Sequence, residues 1–110
     1  MTTGEATRAA LIYSPLPDAE TARAIAGTLL DEGLIACANL LGPIESVFLW
    51  KGQRECASET AALFKTTAEA LKRAVNRLHA LHPYETPVII ATICDAAHPD
   101  TLAWISEQTR

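Results

Sequence analysis

The sequence predicts an α+β domain in the order strand, helix, strand, strand, helix, strand, with one further helix at the end. Three observations predict it. Apolar runs of strand length occur near both ends, at residues 9–13 and 88–94. Two amphipathic segments repeat their apolar residues at helical spacing. The middle of the chain, residues 34–65, holds extended stretches that turn back at Lys51-Gly52. This order is the split β-α-β arrangement of a ferredoxin-like sandwich, in which two helices cover one face of a four-stranded antiparallel sheet.

Each element has a local reason. Residues 1–7 are polar and read as a flexible end, and residues 8–110 as one domain. The apolar run at 9–13 fits a buried strand, and Pro15 and Pro17 then enforce a loop. Asp18 is placed to cap a helix, with Glu20 in its positive first turn. Ala22, Ile25, Ala26, Leu29 and Leu30 form the inner stripe of that helix, and Gly33 supplies its stop. Residues 34–41 read as a strand that Gly42-Pro43 interrupts, because proline cannot donate to a ladder. Residues 44–50 continue it, with Val47 and Leu49 on one face and Phe48 and Trp50 on the other. Residues 55–65 return, which makes one long hairpin kinked at Pro43. Thr66 and Glu69 have capping-box spacing for a second helix. Leu71, Val75, Leu78 and His82 lie along its face, Glu69 and Arg73 form an i,i+4 pair, and Pro83 ends it. Residues 88–94 are nearly all apolar and β-branched, which suggests a central strand. His98-Pro99 opens the last helix, with Leu102 and Ile105 facing inward.

Composition narrows the function. The chain has 110 residues, 49% hydrophobic but only 5% aromatic, so its core is aliphatic. The net charge is −4 with no basic cluster, which argues against nucleic acid. Cys37, Cys56 and Cys94 are odd in number and scattered, a poor disulfide framework. The polar start lacks an apolar signal core, and no apolar run approaches the ~18 residues of a membrane helix. A cytoplasmic location and no membrane association are expected. Two sheet faces and two helices leave one sheet face and the apolar hairpin uncovered, which predicts a homo-oligomer.

Five stretches, in order, resemble the CutA divalent-cation-tolerance family. They are Leu34-Ile35-Ala36-Cys37-Ala38-Asn39-Leu40, the segment Ile44-Glu45-Ser46-Val47-Phe48-Leu49-Trp50-Lys51-Gly52, Glu59 followed by Leu63-Phe64-Lys65-Thr66, the motif His82-Pro83-Tyr84-Glu85-Thr86-Pro87, and Trp104-Ile105. The resemblance spans roughly residues 8–107. It implies a homotrimer of ferredoxin-like subunits, similar in architecture to PII signalling proteins, with a cleft between subunits.

Three kinds of chemistry are open to such a cleft. Trp50, Glu59, Lys65, His82, Tyr84 and Glu85 could bind a small anion or polar ligand; Glu59 and Lys65, six apart, share a strand face. The same residues equally suit a structural polar network. For a metal, copper favours thiolate and imidazole, which singles out Cys37 with His82. Some family members carry a cysteine where this chain has Ser14 and a second histidine where it has Leu81, so the resemblance implies only weak binding of copper or another divalent cation, with no required cofactor. Cys37 also suits a small buried hydrophobe, and His79 and His98 suit surface or capping positions. No nucleophile elbow, P-loop, zinc-protease or dinucleotide motif occurs, so no enzyme activity is expected. The resemblance implies a trimeric, non-enzymatic cation-tolerance protein; a PII-like small-molecule sensor or a structural trimer anchoring a partner are the alternatives.

Overall fold

The computed structural model describes residues 7–110, so the expected loose end at residues 1–7 lies, except for Thr7, outside the described residues. Strand β1 (Ala9–Leu16) leads into helix α1 (Ala19–Asp31), then strands β2 (Cys37–Trp50) and β3 (Gln53–Thr67). Helix α2 (Leu71–Leu81), strand β4 (Ile90–Ile93) and helix α3 (Pro99–Gln108) follow. The four strands form one antiparallel sheet in the order β2-β3-β1-β4. This is the expected α+β, ferredoxin-like architecture.

The core lies between the sheet and α1 and α2. Ala22, Ile25 and Leu29 of α1 and Ala74 and Leu78 of α2 pack on Ile12, Leu16 and Phe64 of the sheet. Burying side chains of this kind contributes about 1.5–3 kcal/mol each for the larger aliphatics and phenylalanine. Leu30 departs from the expected stripe: it is exposed, and the inner face ends at Leu29. Asp18 caps α1 as expected, its carboxylate accepting from the Thr21 N–H at 2.7 Å. Gly33 ends the helix with φ of 71°, a left-handed conformation that glycine adopts without steric cost. At the other end of the chain, Ile105 and Leu102 of α3 pack on Ala9, Ala36 and Cys94 as a small second core.

Several boundaries differ from the sequence reading. β1 does not stop at Tyr13. It runs through Ser14 and Pro15, which pair with Ala62 and Ala61 of β3. β4 flanks β1 only from Ala10 to Tyr13, and the Pro15 carbonyl points away from β3, toward His82. The missing proline N–H therefore falls where no ladder bond is required. β2 is likewise one strand from Cys37, with an irregular register between Leu41 and Ile44 rather than a break. Gly42 sits against Thr60 there; a Cβ would come 3.1 Å from the Thr60 Cα, so a side chain at this position would push the two strands apart by a few tenths of an ångström.

Thr66 does not start α2. It belongs to β3, is fully buried, and donates its hydroxyl to the Leu34 carbonyl at 2.7 Å. The hydroxyl before α2 is that of Thr67, which accepts from the Ala70 N–H. Arg73 bonds the Arg110 carbonyl rather than Glu69, and Arg77 makes a two-point ion pair with Glu32 at 2.9 Å. That pair is exposed and contributes little.

The largest correction concerns residues 88–94. Only Ile90–Ile93 form β4, and it is an edge strand, with all four residues exposed. The apolar run therefore does not mark burial between two strands of this chain. It marks an uncovered edge. The hairpin is uncovered too. The 15 residues of β3, at about 3.3 Å each, account for most of the 51 Å long axis. Its outer part carries Val47, Phe48, Leu49 and Trp50, all exposed, with Leu49 at 76%.

Candidate functional site

The motif after α2 turns the chain from the helical layer around the end of β1 toward the hairpin. His82 closes the helix through its backbone N–H, which donates to the Leu78 carbonyl. Pro83 prevents a further turn. The His82 side chain is 7% exposed, and both ring nitrogens are used. Nε2 lies 2.9 Å from the Pro15 carbonyl oxygen, which can only accept, so Nε2 carries the proton. Nδ1, 3.3 Å from the Tyr84 backbone nitrogen, accepts its N–H. The imidazole is therefore held neutral in one tautomer. Burial pushes its pKa below the ordinary histidine value; the Pro15 bond and the Glu59 charge oppose that push, and His79 adds to it.

Tyr84 continues the chain of contacts. Its ring centroid is 4.8 Å from that of His82, with the planes tilted by 49°. Its hydroxyl donates to Glu59 Oε2 at 2.8 Å. Burial, then the Glu59 carboxylate, pushes the phenol up to about 12. Pro15 of β1, His82 at the end of α2, Tyr84 and Glu59 of β3 thus form one connected network. Ser14 reinforces it: its buried hydroxyl donates to the Val88 carbonyl at 2.6 Å and ties β1 to the approach to β4. Replacing Tyr84 with phenylalanine is expected to destabilise the fold by about 1–2 kcal/mol, because it leaves the nearly buried Glu59 carboxylate without its donor. Urea unfolding of the two proteins measures the difference.

Beside this network lies a cavity of about 570 Å³, roofed by the outer half of the hairpin. Phe48, Trp50, Glu59, Tyr84, Glu85 and Val88 are among its walls. Four of the expected cleft residues therefore come together here: Trp50, Glu59, Tyr84 and Glu85. His82 stands behind Tyr84 and does not line the cavity. Lys65 does not reach it either. The expectation that Glu59 and Lys65 share a face follows from their register, but six residues of strand separate them by about 20 Å. Lys65 instead pairs across the sheet with Leu11 and Cys37. Without it the cavity has no basic wall, and the small-anion reading loses its cation.

Cys37 and His82 do not form a metal pair within one chain. Cys37 is level with Leu11 of β1, whereas His82 binds at Pro15, about 13 Å further along that strand and two strands across. Among the described residues no three His, Cys, Asp or Glu side chains cluster as a metal site. The donor set of a single chain therefore does not fit a closed copper or zinc centre. The three cysteines are free thiols. Among the described residues no helix is long and apolar enough to cross a membrane. His98 caps α3, its Nδ1 accepting from the Asp100 N–H.

Sequence reasoning missed Pro15 and Val88 as cavity residues, since it placed the first in a loop and the second in a central strand. It did hold the signal for Phe48, which alternation puts on the Trp50 face.

The family model described as CutA1 divalent ion tolerance protein matches residues 10–108. A divalent-cation tolerance protein CutA from Pyrococcus horikoshii is 37% identical over 100 residues, 91% of this chain and 97% of that protein. One from Thermotoga maritima is 40% identical over 97 residues, covering 88% and 95%. The crystal structure of divalent ion tolerance protein CutA1 from Ehrlichia chaffeensis superposes with a TM-score of 0.90 at 35% identity, covering 94% of this chain and 97% of the other.

Proposed function

The chain belongs to the CutA1 divalent ion tolerance family, and from that premise we propose that it acts in divalent-cation tolerance as a non-enzymatic homotrimer. The single observation that carries the function is the family match across nearly the whole domain. The assembly is supported by the uncovered apolar surface. The edge strand β4 and the outer hairpin expose Ile90, Val47 and Leu49 by 64%, 64% and 76%, which is surface that a second copy would cover. The working surface is the cavity under the outer hairpin, close to where neighbouring copies would meet.

Metal contact is weak and needs no resident cofactor in this reading. One chain offers a thiol, an imidazole and carboxylates at separate places rather than a closed set. Three free cysteines fit a reducing, cytoplasmic setting. Expression in cells deprived of their own copy tests the function. Growth on graded Cu(II) should recover relative to an empty vector, and growth no better than the vector would overturn the reading.

A further inference from the structure

We propose that the cavity under the outer hairpin binds a protonated primary amine with an aromatic or aliphatic body. The inference rests on the reading of that cavity as the working surface and names what it takes. Its main support is Glu59. The residue is 8% exposed, yet only one of its carboxylate oxygens, Oε2, has a hydrogen-bond donor among the described residues, the Tyr84 hydroxyl. Oε1 is an acceptor with no such partner beside a cavity. Buried polar atoms are rarely left unmet, and a positively charged N–H donor such as an ammonium binds a carboxylate about twice as strongly as a neutral donor.

The rest of the wall selects the same chemistry. Glu85 adds a second carboxylate, and no lysine, arginine or histidine lines the space. Phe48, Trp50 and Tyr84 supply aromatic surface, which attracts a cation at a ring face and packs an apolar body at its edges. Trp50 already receives the Lys51 Nζ 5.5 Å from its ring centroid. A volume of about 570 Å³ is within the ordinary range of small-molecule sites. An anion would meet two carboxylates, and a neutral O–H donor would reach Glu59 Oε1 without an opposing charge, in a bond roughly half as strong.

The test is titration calorimetry of the intact assembly with 2-phenylethylamine at pH 7 in the presence of EDTA, against the neutral isostere 2-phenylethanol and the anion 3-phenylpropionate. Saturable binding of the amine is expected, with the alcohol and the carboxylate at least about tenfold weaker. Glu59→Gln should weaken the amine about tenfold or more, the change expected when a charged hydrogen bond is lost. Should that variant fold poorly, chemical-shift changes in the wild-type protein give the second readout, and they should centre on Trp50, Tyr84 and Glu85. Equal affinity for amine and alcohol, no saturation, or shifts centred elsewhere would overturn the proposal. EDTA removes metal from the experiment, and the copper-growth assay reads tolerance separately, so either idea can fail alone.

Discussion

Replacing His82 with alanine is expected to lower the unfolding free energy by about 2–4 kcal/mol and to remove part of the protein's pH dependence. The ring is nearly buried, so its loss leaves a void. It also strips the Pro15 carbonyl and the Tyr84 N–H of their partner at once. The pH effect has a definite sign. The pKa of His82 is lowered in the fold, mainly by burial. Between that depressed value and the unfolded value of about 6.5, the unfolded chain binds more protons than the folded one. Stability from this residue is complete above that window and falls as pH drops through it. Protonation would also place a proton on Nδ1 facing the Tyr84 N–H, two donors in opposition. Urea unfolding at pH 8, 6.5 and 5 should therefore show a steeper loss for the wild type than for the alanine variant. Equal slopes would remove His82 from the account.

The second large effect is on assembly. If the chain assembles as proposed, Val47→Glu combined with Leu49→Glu should leave it monomeric with the fold intact. These side chains share one face of the hairpin and are 64% and 76% exposed within the chain, so the fold does not depend on burying them. Between copies they would each lose about 1.5–3 kcal/mol of apolar burial and gain the cost of a desolvated carboxylate. Sedimentation should show the mass fall to that of one chain, with an unchanged far-UV circular dichroism spectrum. An unchanged mass would place the interface elsewhere.

How far the sequence could be read depended on whether a signal was local. Asp18, Gly33, Pro83 and Pro99 mark helix ends through their own chemistry, and those ends stand where expected. Thr66 was misleading because its hydroxyl is used by a carbonyl 32 residues away, which no local pattern reveals. Residues 88–94 misled for a related reason. An apolar run reports that a strand is to be covered, but not whether the cover is its own chain or another copy. At the site, alternation put Phe48 with Trp50 on one face of β2, and Glu59 with Lys65 on one face of β3. What it lacked was distance along the strand, so Lys65 was drawn into a cavity it lies far from. The bond from His82 to Pro15 was invisible because it uses a backbone carbonyl, which leaves no mark in the sequence.

In the proposed trimer, other copies of this chain cover the exposed hairpin and the β4 edge. Static light scattering on the purified protein at neutral pH tests that directly. Chains of 11.8 kDa assembled in threes predict a mass of about 35 kDa that persists on dilution. A mass of 11.8 kDa would contradict it.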